Sequence, residues 1–150
     1  MKRWKLGEGS IARNRKYQKA YNAYRSGNPT LSCQFCDFVN GGEQIQRTYQ
    51  HFWVVTNLFP YYIWDSSRVL EHLMLVPKRH VDSIADFDHD ERLEYVAIMM
   101  EYESSGYNIY SRTHASGQKS VAHQHTHFIK IGKQISSQVF LNKPHVNIVR

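Results

Sequence analysis

Polar and apolar positions along the chain alternate in two different periods. From Ser10, an N-cap candidate, "IARNRKYQKAYNAYRSG" has helical spacing: Tyr17, Tyr21 and Tyr24 fall at i, i+4 and i+7, with Gly27 as terminator and Pro29 just beyond. The opposite face carries Arg13, Arg15, Lys16 and Lys19. The "NGG" at 40–42 signals a turn, and the β-rich runs "QIQRTY" and "HFWVVT" follow it. After an aromatic-rich stretch at 58–67, "VLEHLMLVP" reads as a buried strand closed by Pro77. Asp88 and Glu91 have capping-box spacing, and Leu93, Val96, Ala97 and Met100 continue as a helical stripe that Gly106 ends. "YNIYSR" and "SVAHQHTHFIKI" are strand candidates on either side of the polar loop "THASGQK"; the tail "SSQVFLNKPHVNIVR" adds an edge strand or a docking arm. This order predicts an α+β fold, an antiparallel sheet with helices packed on it. We divide the chain into a basic helical extension, 1–30, and a main domain, 31–150, that carries the sheet.

Size and composition narrow the class. The 150 residues, 41% hydrophobic and 21% charged, suit one soluble domain with a proper core. The longest apolar runs are too short to cross a bilayer, so no membrane partner is expected. "MKRWKL" is followed by no apolar segment, so no secretory signal is expected. Two cysteines spaced "CQFC" suit metal or redox use in a reducing, cytoplasmic compartment better than a disulfide scaffold. The net charge of +6 points to anionic partners: nucleotides, polyphosphates or nucleic acid.

The chemistry concentrates in "SGQKSVAHQHTHFIKI". In a strand, alternate side chains share a face, so His123, His125 and His127 project together over roughly 13 Å. Such histidines can chelate a transition metal. Alternatively a neutral imidazole, with its pKa near 6.5, can attack phosphorus while its neighbours hold phosphate oxygens. For attack, one ring nitrogen must donate to an orienting acceptor so that the other carries the lone pair. The preceding loop favours phosphate: Gly117 permits close backbone approach, and Gln118, Lys119 and Ser120 supply donors. Cys33 and Cys36 can give two ligands of a tetrahedral zinc site, for which we choose His80 and His123 as the other pair.

These segments together resemble the histidine triad superfamily of nucleotide hydrolases and transferases, in its zinc-bearing bacterial-type branch. "SGQKSVAHQHTH" is similar to that family's "GQSVxHxHxH", "LEHLMLVPKRHV" to its "GHLLVIPKRHV" strand, and "CQFC" to its "CIFC" opening, in order from Cys33 to Ile131. The resemblance implies that His125 is the nucleophile, forming a nucleotidyl-histidine, and that His127 orients it or binds phosphate oxygens. It implies that Ser120 contacts phosphate and protonates the leaving group, that Gln118 belongs to the phosphate loop, that Asn57 holds the ribose hydroxyls, and that His72 lines the pocket; Lys119, which the family lacks there, adds charge to that loop. It implies a structural zinc on Cys33, Cys36, His80 and His123, and a homodimer; no catalytic metal is expected, because the site's hydrogen-bond donors can stabilise phosphorane charge.

Four features depart from the family pattern. Lys119 is inserted between the glutamine and the serine; Gln124 and Thr126 replace the usual aliphatic residues between the histidines. The stretch from Asn57 to His72 is longer, and the asparagine expected before the loop is replaced by Ser111 or Arg112. The expected function is hydrolysis of a nucleotide conjugate at its α-phosphorus, of the dinucleoside polyphosphate or phosphoramidate type. The rivals are a nucleotidyltransferase or phosphorylase sharing the intermediate, and a non-catalytic nucleotide-binding module. A repair activity on adenylated nucleic acid, prompted by the basic helix, ranks lower.

Overall fold

The structure, a computed structural model, describes residues 13, 15–27, 33–65, 67–117, 119–134, 138–142 and 145–149. Its elements are α1 (Arg15–Gly27), β1 (Ile45–Thr48), β2 (Phe52–Thr56), β3 (Ile63–Trp64), β4 (Ser67–Pro77), α2 (His89–Ser104), β5 (Asn108–Ser111), β6 (Thr126–Gln134), β7 (Gln138–Asn142) and β8 (His145–Val149). The main sheet runs β1-β2-β4-β6-β5, with β3 paired to β4, which is the expected α+β architecture. The tail does not extend that sheet. β7 and β8 pair antiparallel as a two-stranded sheet of their own, because each offers its edge to the other across a short connection. Ser10 and Pro29, the expected bounds of the first helix, lie outside the described residues.

By contacts the chain forms two units, 1–29 with 59–70 and 131–150, and 30–58 with 71–130. In the first, α1 carries its tyrosines against Phe59: the Tyr21 and Tyr24 rings each lie 5.4 Å from it. Arg13 donates from Nε to the Phe59 carbonyl at 3.0 Å and sets its guanidinium over Tyr21 and Tyr61. Tyr61 in turn stacks on Trp64. Among the described side chains, aromatic and cation–π contacts hold α1 to the 59–64 stretch.

The second unit is built on β2 and on the Glu71–Pro77 part of β4, whose apolar residues alternate into two cores. Phe52, Val54, Leu73 and Leu75 face one side, where they meet Phe87, Tyr95, Ile98 and Phe128. Trp53, Val55, Met74 and Val76 face the other, where they meet Phe35. A strand buried on both faces reads as a continuous apolar run, as "LMLV" does. Gly41, at φ +81°, turns the chain into β1, and Gly106, at φ +85°, ends α2. The capping box of α2 is formed: Asp88 accepts from the Glu91 amide, and Glu91 accepts from the Asp88 amide, each at 2.9 Å. The face of α2 that packs inward, however, is Glu91, Tyr95 and Ile98 with Tyr102; Leu93, Val96 and Met100 are exposed. The aromatic core selects Tyr95 and Tyr102, whose rings reach Phe52, Phe87 and Phe128, over the aliphatic stripe. Among the described residues no helix is long and apolar enough to cross a membrane.

Candidate active site and metal centre

All the placed candidate residues lie in the second unit. The histidine stretch is not one continuous strand: β6 begins at Thr126, so His127 is on the strand while His123 and His125 precede it in a bent segment. The Gln124 amide donates to the Val81 carbonyl at 2.6 Å and pins that segment outside the ladder. All five residues from His123 to His127 are buried, so both sides of the segment are covered.

His123 works in three directions. Its Nε2–H donates to the Pro77 carbonyl at 2.9 Å, which leaves the Nδ1 lone pair facing Cys33 Sγ at 3.2 Å and Cys36 Sγ at 3.5 Å. Its own carbonyl accepts from His125 Nδ1 at 2.9 Å. Burial is the chief cause that brings its pKa down to about 4, so the ring is neutral at physiological pH. Cys36 Sγ also lies 3.2 Å from His80 Nδ1, and the far nitrogen of His80 faces Asp82 at 3.4 Å. The ligand atoms of Cys33, Cys36, His80 and His123 lie within 4.8 Å of one another. Two sulfurs and two imidazole nitrogens at that spacing are a tetrahedral zinc donor set. The fit extends outward: each histidine turns its other nitrogen to an oxygen, the arrangement that orients an imidazole toward a metal. Without an ion, burial and the neighbouring Cys33 raise the Cys36 thiol to about 11; a bound cation reverses that penalty by stabilising the thiolate.

His125 is differently set. Its Nδ1–H is committed to the His123 carbonyl, so the neutral ring carries its lone pair on Nε2. Burial is the largest cause lowering its pKa, opposed by that hydrogen bond and assisted by the charges of Lys119 and Arg112. Phe35, between the two cysteines, meets the His125 ring edge-on with centroids 5.3 Å apart. The metal loop and the candidate nucleophile therefore share one packing contact. One hydrogen bond joins His127 Nδ1 to His72 Nε2 at 2.9 Å, and the Asn57 amide nitrogen lies 3.3 Å from that same His72 atom. Tyr110, the register partner of His127, stacks on its ring at 5.8 Å.

Lys119, on the loop before the triad, donates from Nζ to the Asp82 carbonyl at 2.7 Å and to Gln124 Oε1 at 3.0 Å. An ammonium has three hydrogens, so one remains for an anion. Gln124 Nε2 donates to Ser111 Oγ at 2.7 Å, and Ser111 Oγ donates to the His125 carbonyl at 3.3 Å. Lys119, Gln124 and Ser111 form one chain ending on the backbone of His125. Ser120 is exposed on the bend before the triad, and Gln118 lies outside the described residues. Sequence reasoning treated Gln124 and Ser111 only as departures, and it missed Phe35 and Tyr110. The polar residues between alternating histidines were the available signal for Gln124, and the phenylalanine shared by "CQFC" and "CIFC" was the signal for Phe35; Tyr110 carries no motif.

No protein-family model and no curated protein matches the chain. Among solved structures it is similar to a HIT family hydrolase from Legionella pneumophila, at 19% identity over 70% of this chain and 96% of that one, with a TM-score of 0.50. A histidine triad protein from Clostridium difficile (23% identity, 71% and 95% covered, TM-score 0.45) and a histidine triad nucleotide-binding protein from Candida albicans (16%, 74% and 86%, 0.49) are also similar. The likeness to the first establishes the architecture: this α+β chain has the histidine triad fold.

Proposed function

We propose that the protein hydrolyses a nucleotide conjugate at its α-phosphorus through a covalent nucleotidyl-histidine. The observation that carries this reading is the His125 ring, neutral and held by the His123 carbonyl so that Nε2 is the free nucleophilic nitrogen. Nε2 attacks in line, the phosphorus–leaving-group bond breaks, and the leaving group departs with a proton for which Ser120 is the donor. Water then attacks phosphorus, the P–N bond breaks, and the proton lost by the water restores Ser120, regenerating His125 and releasing a nucleoside monophosphate. His127, tied to His72, and the Lys119 ammonium supply hydrogen-bond donors for the charge that builds on the phosphate oxygens. Gln118 belongs to the same phosphate loop, and Asn57 and His72 form the polar wall that meets the sugar. None of these steps requires a catalytic metal.

In the same reading Cys33, Cys36, His80 and His123 hold zinc, which cross-links the N-terminal loop to the His123 segment and keeps Phe35 against His125. The exposed stripe of Leu93, Val96 and Met100 on α2 supports a homodimer, since a second copy would cover it. The decisive experiment is incubation with a labelled dinucleoside polyphosphate, acid quench and peptide mass spectrometry. A nucleotidyl adduct on His125, absent from His125→Ala protein that has also lost turnover, is the expected result. Normal turnover by purified His125→Ala protein would overturn the mechanism.

A further inference from the structure

The chain's charge is divided unevenly between its two units. The stretches 1–29, 59–70 and 131–150 hold twelve of the 19 lysines and arginines but only two of the 13 carboxylates, Glu8 and Asp65, a net charge of +10. The remainder, which contains the whole candidate active site, holds seven cations against eleven carboxylates, a net charge of −4. Such segregation is not needed for folding, because like charges repel in the compact state. Nor, among the described residues, is it a surface of ion pairs: those formed by Arg47 and Glu101, Arg79 and Glu91, and His80 and Asp82 all lie in the acidic unit. On α1 the tyrosine face is occupied by Phe59, and the remaining face exposes Lys16 and Lys19 with no acidic residue anywhere on the helix. Among the described residues the same unit exposes the rings of Tyr17 and Tyr62, each 38% accessible, and Arg68 lies over the Tyr62 ring.

We propose that this basic unit binds single-stranded nucleic acid, with phosphates on the carboxylate-free face of α1 and an unstacked base on Tyr62. A row of cations without acidic partners neutralises a phosphate backbone by releasing its counterions. An exposed ring beside a guanidinium is what stacks on a base that is not already paired in a duplex. The nucleotide-hydrolase reading needs neither feature, since its site lies wholly in the acidic unit. The proposal therefore stands apart from that reading.

The test uses the full chain and a labelled mixed-sequence oligonucleotide, followed by fluorescence anisotropy across a salt series. The wild type is expected to bind the single strand more tightly than the same sequence as a duplex. Neutralising both lysines (Lys16→Gln with Lys19→Gln) should weaken binding about ten-fold and reduce the slope of log K against log salt by about 1.4, since each phosphate contact on a single strand contributes roughly 0.7. Tyr62→Ala should weaken single-strand binding by roughly 5- to 100-fold. Both lysines and Tyr62 are exposed, so these variants keep the fold, which circular dichroism checks. Undetectable binding at low salt, an unchanged salt slope in the lysine variant, duplex binding as tight as single-strand binding, or capture by anionic phosphatidylserine vesicles without oligonucleotide binding would each overturn it.

Discussion

Replacing Gln124 by leucine tests whether the chain from Lys119 to the His125 backbone acts as a unit. Gln124 is 2% exposed, so its substitution is felt in full by its neighbours. Leucine has nearly the same volume but removes the acceptor for Lys119 Nζ, the donor to Ser111 Oγ and a long, weak 3.4 Å donation to the His125 carbonyl. Each lost hydrogen bond costs about 1 kcal/mol net. Neither partner is orphaned: Lys119 keeps the Asp82 carbonyl, and Ser111 keeps the His125 carbonyl. The added apolar burial returns part of the loss, so the net destabilisation is about 1–2 kcal/mol, a fall of about 3–6 °C in Tm for a chain of this size. Turnover should fall further than stability does. The loop carrying Lys119 and the backbone under His125 both loosen, and a misplacement near 1 Å costs up to about 100-fold in rate. The assay pairs thermal unfolding with single-turnover formation of the His125 adduct. Lys119→Met should reproduce most of the rate loss, and the double variant should be little worse than either single one. Unchanged turnover in Gln124→Leu, or full additivity with Lys119→Met, would refute the coupling.

Three further outcomes are expected. Cys33→Ser should abolish stoichiometric zinc in metal analysis, lower Tm and slow adduct formation through the loss of Phe35 packing on His125; unchanged zinc content would dismiss the ligand set. The Glu91 carboxyl is held below its ordinary value chiefly by its hydrogen bonds from Arg79, so its stabilising contribution is fully present above about pH 4.5 and is lost as pH falls through the lowered folded value. Chemical denaturation should therefore show the wild type losing stability on acidification in that window, while Arg79→Ala starts less stable and has a flatter profile. Under the proposed homodimer, the wild type should be dimeric in light scattering and Met100→Glu, on the exposed stripe of α2, monomeric with unchanged secondary structure by circular dichroism; a monomeric wild type would dismiss the dimer.

Much of this was legible in local pattern. The turn at Gly41, the capping box of Asp88 and Glu91, the end of α2 at Gly106 and the buried run of β4 each depend on residues within a few positions of one another, so short-range rules located them. Alternation of His123, His125 and His127 likewise marked the stretch around which the structure gathers the imidazoles of His72, His123, His125 and His127. What the spacing could not decide is which histidine does which. His123 turns to the cysteines because the Pro77 carbonyl takes its other nitrogen, and His125 is freed at Nε2 because the His123 carbonyl takes Nδ1. The inward face of α2 was misread for a related reason: Leu93, Val96 and Met100 make a good apolar stripe, but Tyr95, Ile98 and Tyr102 are the residues that fit the aromatic core. Periodicity is a property of neighbouring residues, whereas the choice between two faces, or between two ring nitrogens, is made by partners that are distant in sequence and arrive only when the sheet closes.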